Sequence, residues 1–326
     1  MAKNEPNPSP DPVTKARRVF FVPFGDERLF DRLDNLRDSF PDPLGEIAET
    51  FRHNLSSVVA TISVPLTIAS STVHHNHFLR LHMAERIRAL PLFGDDDYDS
   101  DELSPEKENA ARESALKKLE EFRTSRSGRE QIARETCEYL CHVHESREME
   151  TAASELLRQG VILAWTTVEV VIRDVFVAYL NANPSAASRL IENPVARRRF
   201  EIKGLTIEVL KEHGYDVSRK MGDICLAKND IGELTVIKDV YGALFPTNDA
   251  LRKALDESAL WILNQRRHLF VHRRAVVDAA YLKNTRDSLK IGDRLEVSPR
   301  ELESYLLLVA KVGTEVLAAG ALVDET

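Results

Sequence analysis

The sequence predicts an all-α protein, and two observations support this prediction. Long segments repeat apolar residues at the helical spacing of three and four positions, and several of them begin with residues that favour helix starts. Only residues 289–296 indicate extended structure, and the Gly292-Asp293 pair inside them predicts at most a small β-hairpin. We therefore expect a bundle of helices with at most one pair of short strands.

Changes in composition divide the chain into three predicted parts. Residues 1–14 are rich in Pro and Asn and have little to bury, which is typical of a disordered tail. Residues 15–103 predict an N-terminal helical region of unknown role, with helices from near Asp26, over 43–60 and over 76–93. The acidic segment 94–102 has no apolar periodicity, so we place a boundary there and expect one helical domain over 104–326.

Helix signals follow one another along the third part. Ser104 with Pro105 predicts the cap and first position of a helix that reaches about Phe122, and a second helix is expected from about Gly128. The segment that ends before Asn183 is apolar on almost every side, so it should form a buried central helix.

The remaining helices are predicted by caps and breaks. Shorter helices are expected over 186–191, 206–212 and 230–246, followed by one long helix from about Asn248. The last helix should begin at Ser298, because Pro299 and Glu301 complete the S-x-x-E capping pattern.

Composition restricts the classes of function. The net charge of −8 and pI near 5.8 disfavour a protein that coats nucleic acid, so any anion site must be local. Three cysteines are too few for a disulfide framework, and residues 1–12 lack the apolar core of a signal peptide, so we expect a cytoplasmic protein. The apolar run 58–69 is shorter than the ~20 residues of a membrane span, so no membrane partner is expected. No glycine-rich nucleotide loop is present.

The basic segment QRRHLFVHRR (265–274) places four arginines and two histidines within ten residues of an acidic chain. Arg267 and His272 have the spacing R-x4-H, and His268 directly follows the arginine. Imidazole suits proton transfer near neutral pH because its unperturbed pKa is ~6.5, and guanidinium stays charged and donates two hydrogen bonds to phosphate oxygens. These groups suit metal-free RNA cleavage, in which the 2′-hydroxyl is the nucleophile.

Residues 266–285 resemble the terminal segment of the HEPN superfamily of helical ribonucleases and toxins. There, R-[polar]-x3-H precedes a small turn, a Val-Asp pair and a helix that contains Tyr-Leu, as at Val277-Asp278 and Tyr281-Leu282 here. Segments 162–180 and 236–246 are similar in character to that family's core helices, so the resemblance covers about 128–320 and is strongest at the motif. Arg273, Arg274 and Ala275 depart from the family where many members have a glycine turn.

The resemblance implies a metal-independent endoribonuclease without a cofactor, of the toxin or antiphage-defence kind. The implied catalytic residues are Arg267, His272 and His268. Glu169 is expected to orient Arg267, although an ion pair with Arg173 in the same helix is the alternative. Three further arginines are expected to contact RNA: Arg266, Arg273 and Arg274. The expected partners are RNA, a second copy of the chain, and an antitoxin or trigger protein.

Helix geometry raises a question about the motif. On one ideal helix Arg267 and His272 differ by about 500° of rotation, so their side chains diverge by roughly 140°, whereas His268 and His272 share a face. Either the helix breaks near 270–273, or two protomers assemble the site. The resemblance implies at least the second, a two-fold dimer whose paired motifs line a shared cleft.

Two other hypotheses stay open. A non-catalytic HEPN-like scaffold that binds RNA or a partner protein has the same fold. A metal-dependent enzyme would use the N-terminal histidines, although that segment lacks the H-E-x-x-H pattern; these histidines are His74, His75, His77 and His82. Cys137 and Cys141 share a helix face from which His142 and His144 turn away, which indicates packing residues.

Overall fold

The structure is a computed structural model, and it describes residues 11–23, 29–90, 103–199, 206–227 and 229–321. Every regular element in these residues is helical, which confirms the all-α class. The first seven helices are α1 (Pro12–Val19), α2 (Asp31–Leu36), α3 (Leu44–Ile62), α4 (Val64–Ala89), α5 (Pro105–Thr124), α6 (Arg126–Val143) and α7 (Arg147–Ala182). The next are α8 (Ala187–Glu192), α9 (Pro194–Arg199), α10 (Ile207–Glu212), α11 (Met221–Leu226), α12 (Leu234–Leu244), α13 (Asp249–Leu255), α14 (Ser258–Arg273), α15 (Ala279–Thr285) and α16 (Pro299–Gly320).

The chain divides into two compact units that alternate along the sequence. The first unit contains residues 1–22 and 63–154, and the second contains 23–62 and 155–326. This division differs from the predicted parts 15–103 and 104–326, because α3 packs against α16 while α5 and α6 pack with α4. The acidic segment that suggested a boundary lies outside the described residues. The predicted tail 1–14 is helical from Pro12, and residues 1–10 are not described.

The first unit is built from α1, α4, α5 and α6. Two serine caps begin its helices: Ser104 Oγ accepts a hydrogen bond from the Lys107 amide at 3.4 Å, and Ser125 Oγ accepts one from the Gly128 amide at 3.0 Å. The apolar faces of these helices meet in a small core that includes Phe20, Cys137 and Leu140. The predicted starts of α5 and α6 are therefore confirmed within two residues.

The second unit is organised around the C-terminal part of α7. Its apolar side chains are almost fully buried at helical spacing, as the sequence predicts for a central helix: Trp165, Val168, Ile172, Phe176 and Leu180. The buried Tyr241 hydroxyl of α12 donates to the Ile172 carbonyl at 2.5 Å and joins α12 to this core. Burial raises the pKa of this phenol well above its ordinary value, so Tyr241 stays a hydrogen-bond donor.

Two predicted elements of the second unit differ in the structure. The long helix expected from Asn248 is two helices, α13 and α14, which are separated at Asp256 and Glu257. Each of these acidic side chains pairs with a lysine of another helix: Asp256 Oδ1 lies 3.0 Å from Lys238 Nζ, and Glu257 pairs with Lys311.

The sequence predicts at most a small hairpin over 289–296, and the described residues show only its turn, in which the Asp293 amide donates to the Lys290 carbonyl at 3.0 Å. On either side of this turn no strand pair forms within the segment, which pairs instead with the chain that follows α14. The Val277 amide donates to the Asp293 carbonyl at 2.9 Å, and the Leu295 amide donates to the Ala275 carbonyl at 2.8 Å. Because Leu295 is buried in this pairing, the segment supports the turn after α14.

No described helix is by itself long and apolar enough to cross a membrane. The consecutive helices α3 and α4 meet that criterion of length and composition only when they are taken together across the bend between them.

Candidate active site

A cleft in the second unit brings the predicted motif residues together. Its volume is about 530 Å³, and its lining includes Arg267, His268, His272 and Glu169. These residues come from α14 and α7, which are far apart in sequence. One chain therefore supplies the arginine, both histidines and the carboxylate to the same cleft.

Helix α14 continues without a break through the motif. The break expected near 270–273 is absent, because Leu269 and Phe270 are buried and hold the helix in place as far as Arg273. The chain turns only afterwards, where Arg274 and Ala275 have φ of 51° and 68°. A left-handed turn thus forms without the glycine that is common in the resembled family, and the 289–296 segment holds it.

The two histidines lie side by side on the exposed face of α14. Their ring centroids are 4.6 Å apart with an interplanar angle of 48°, as their spacing of four residues predicts. Both side chains are exposed to solvent. A substrate can therefore reach both imidazoles.

Arg267 is held by an acceptor on α7. Its Nη2 donates to Glu169 Oε1 at 3.2 Å, and Trp165 Nε1 donates to the same oxygen at 2.7 Å. Glu169 therefore contacts Arg267, as the first of the two alternatives predicts, while Arg173 lines a separate cavity. The Arg267 Nε is buried and has no hydrogen-bond partner within the described residues, so it is closed to a ligand. The side chain is 28% exposed, and its Nη groups are therefore the donors that a ligand can reach.

Removal of the Glu169 carboxylate should destabilise the second unit. Trp165 is fully buried, so Glu169→Ala leaves its N–H without an acceptor, at a cost of about 1–3 kcal/mol in the free energy of unfolding. Glu169→Gln is the control, because its amide oxygen can still accept from Trp165. Urea unfolding should show a clearly lower midpoint for the alanine variant than for the glutamine variant. Equal midpoints would contradict the proposed contact.

The structure does not support the RNA contact predicted for Arg266. Its side chain is only 12% exposed, and its Nη1 lies 2.5 Å from Glu301 Oε1 on α16. Burial by itself lowers the pKa of Arg266, but the neighbouring Tyr305 and Glu301 side chains raise it more. Arg266 thus joins α14 to α16 on the side away from the histidines, where its charge is neutralised.

Arg273 and Arg274 are exposed at the C-terminal end of α14. Arg273 Nε lies 3.3 Å from Asp278 Oδ2, with the Arg273 side chain 62% exposed. The Arg274 side chain is also exposed. Both cations stand at the same end of the helix as His272, so their predicted contacts with phosphate stay predictions.

The sequence analysis missed four polar residues that line the cleft beside the motif. Trp261, Asn264 and Gln265 precede His268 on α14, and Asn284 belongs to α15. The spacing of three, four and seven residues back from His268 places the first three on its face, so helical periodicity was a usable signal. All four side chains are neutral, so the concentration of charge in 265–274 does not single them out.

Carboxylates outnumber cations in the cleft lining. Glu169, Asp230, Glu233 and Asp278 line it together with Arg267, the only Arg or Lys among the described lining residues. Asp230 Oδ1 accepts from the Gly232 amide at 2.9 Å, and Asp278 Oδ1 accepts from the Tyr281 amide at 2.8 Å. The cleft therefore attracts a polyanion only weakly, and phosphate binding must rely on local contacts at α14.

The histidines of the first unit do not converge on a common point. His77 Nε2 lies 2.9 Å from Glu135 Oε2, His82 Nε2 lies 3.0 Å from Glu108 Oε1, and His74 Nδ1 lies 2.7 Å from the Ser70 carbonyl. In the parts of the chain that the structure describes, no three His, Cys, Asp or Glu residues are grouped to hold a metal. This geometry gives the metal-dependent alternative no support.

A larger cavity in the second unit offers less chemistry. Its volume is about 850 Å³, and its described lining includes Arg173, Asp174 and Arg219 but no His, Cys, Lys or Tyr. Burial raises the pKa of Asp174, although the charge of Arg173 opposes this. Because the described lining of this cavity has no histidine to transfer a proton near neutral pH, the motif cleft is the better candidate site.

Comparisons with protein-family models, curated proteins and solved structures give no match for this chain. The fold and the site define an all-α protein with an exposed cleft that contains one arginine and two adjacent histidines. Any assignment of function therefore depends on the geometry of that cleft.

Proposed function

We propose that this chain is a metal-independent endoribonuclease of HEPN type. The observation that supports it most strongly is that Arg267, His268, His272 and Glu169 all line one cleft. Their chemistry matches the needs of RNA cleavage, which requires a base, an acid and a fixed cation. A role as a toxin or antiphage-defence effector in the cytoplasm belongs to the same proposal.

The proposed reaction uses only groups of this cleft. One imidazole takes the proton of the 2′-hydroxyl, and the oxygen then attacks the adjacent phosphorus. Arg267 donates to the phosphate oxygens, on which negative charge increases in the transition state. The bond from phosphorus to the 5′-oxygen breaks, and the second imidazole donates a proton to that leaving oxygen. Rings 4.6 Å apart can divide these two roles between them.

Cleavage should therefore leave a 2′,3′-cyclic phosphate and a 5′-hydroxyl, and EDTA should not reduce the rate. We expect this result from single-stranded RNA of mixed sequence, with products separated by mass spectrometry. Loss of cleavage on chelation, with recovery in zinc or manganese, would contradict the mechanism. Purified protein that leaves every RNA intact, with its antitoxin or trigger absent and present, would contradict enzymatic activity altogether.

A dimer around the end of α14 is part of the proposal. Val271 and Val276 are exposed apolar residues close to His272 in sequence, and Ile291 is a third, in the segment that pairs with the chain after α14. A second copy would cover them. Light scattering should then give the mass of two chains, and cleavage per chain should fall on dilution below the dissociation constant. Full specific activity in a protein that scatters as a monomer would contradict a shared cleft.

A second candidate function follows from the carboxylates in the lining. An acidic cleft favours a positively charged ligand, so a helical scaffold that binds a basic segment of a partner protein fits this feature. The products of the RNA assay discriminate between the two functions, because a scaffold cleaves nothing. In that case the same cleft residues would affect partner binding alone.

A further inference from the structure

The face of α14 that contains His268 continues toward the start of the helix as a neutral, aromatic and amide surface. Trp261, Asn264 and Gln265 lie on it, and all three line the cleft. With a rise of 1.5 Å per residue, the seven residues from Trp261 to His268 span about 10 Å. This surface is therefore close to the histidines without overlapping them.

Hydrogen bonds hold this surface in a defined arrangement. Trp261 Nε1 donates to the Asn284 carbonyl at 3.0 Å, which orients the indole. Asn284 Nδ2 donates to Gln265 Oε1 at 2.9 Å, and Gln265 Nε2 donates to Asn264 Oδ1 at 3.4 Å. These three bonds use neither the amino group of Asn264 nor the side-chain oxygen of Asn284, so the cleft lining retains one amide donor and one amide acceptor.

We propose that this surface is a binding subsite for an unpaired adenine base, which rests on the proposed function as a ribonuclease. An indole stacks on any base, while side-chain amides pair with adenine through one donor and one acceptor. Guanine would favour an arginine or lysine at its O6 and N7, and the subsite contains neither. The cleft then selects RNA by an adenine next to the cleaved bond, a preference that needs no bulk positive charge.

The two tryptophans of the chain make this subsite directly measurable. Trp165 is fully buried, whereas Trp261 is partly exposed in the cleft. In His272→Ala protein, which keeps RNA intact, we expect a uridine hexamer with one adenosine to quench the Trp261 fluorescence. The all-uridine hexamer should bind more weakly by roughly 5- to 150-fold, the discrimination against a wrong base that a good pair of amide contacts provides.

Variants test the two kinds of contact separately. Trp261→Ala should reduce affinity for both hexamers, and Asn264→Ala should remove only the preference for adenosine, both measured by anisotropy of labelled RNA. Gln159→Ala is a matched amide control, because Gln159 is an exposed residue of α7 that bonds to Glu155 outside the cleft. Its binding should equal that of the parent protein.

The outcomes separate the subsite from the proposed function. RNA cleavage with equal affinity for both hexamers would overturn the subsite and leave the ribonuclease standing. If the wild-type protein cleaves no RNA and the His272→Ala protein shows quenching that depends on adenosine, the result would support the subsite as a nucleobase site and count against the ribonuclease. Quenching that is equal for the two hexamers, or that persists in Asn264→Ala with its preference intact, would overturn the proposed amide contacts.

Discussion

Replacement of His272 by alanine is expected to lower the rate of RNA cleavage by about 10²- to 10⁴-fold, the usual contribution of a general acid or base. His272 is exposed, so its loss should leave the fold intact and affect chemistry alone. Single-turnover cleavage of a labelled RNA measures the effect. If expression of the wild-type chain arrests growth, the variant should relieve that arrest.

Arg267→Lys tests the second half of the same pair. A lysine keeps the charge but cannot reproduce the planar guanidinium, which donates to Glu169 and, in the proposed mechanism, also to a phosphate oxygen. We expect a loss of rate comparable to that of Arg267→Ala.

His75→Ala is the matched control for His272→Ala, since His75 is an exposed histidine of the first unit. A His272→Ala protein that cleaves RNA at the wild-type rate would disprove the catalytic assignment.

A large loss of stability is expected from Gly313→Ala in α16. A Cβ at Gly313 would lie less than 3.0 Å from three ring atoms of Phe51, which is buried on α3. Because the ring has no free space to enter, α3 and α16 must separate, and such overpacking costs about 1–3 kcal/mol. Urea unfolding should show the loss as a lower midpoint.

Gly242→Ala in α12 is the matched control for this substitution. A Cβ at Gly242 meets no atom within 4 Å, so alanine should stabilise the helix by about 0.5–1 kcal/mol. The same chemical change thus has opposite signs at the two positions. Phe51→Leu in the Gly313→Ala background should restore part of the lost stability, because it removes the ring that obstructs the methyl group. Equal effects at both glycines would contradict the packing of α3 on α16.

Local signals predicted more of the structure than long-range ones did. The caps at Ser104 and Ser298 depend on neighbouring residues, and their helices begin where the sequence indicates. In the 289–296 segment only the turn was predictable, because the partner of its other residues is the chain after α14, which alternation within the segment cannot reveal. The acidic residues at the break between α13 and α14 likewise pair with lysines of α12 and α16, which are distant in sequence or in another helix.

The sequence predicted which residues supply the reactive groups of the candidate site, but not which side chains surround them in space. The spacing in 265–274 identified Arg267 and the two histidines, and the resemblance singled out Glu169. The role of Arg266 was misjudged because its acidic neighbour, Glu301, lies 35 positions further along the chain in another helix. Trp261 and the nearby amides were overlooked because the basic segment begins only after them.

The contact between α3 and α16 also sets an order of events during synthesis. Phe51 leaves the ribosome about 260 residues before Gly313, and at 5–20 residues per second this interval lasts roughly 13–50 s. Throughout that time the apolar face of α3 lacks α16 as its partner. A nascent chain that ends before α16 already has Arg267 and His272, but Arg266 then lacks the Glu301 carboxylate that neutralises its charge.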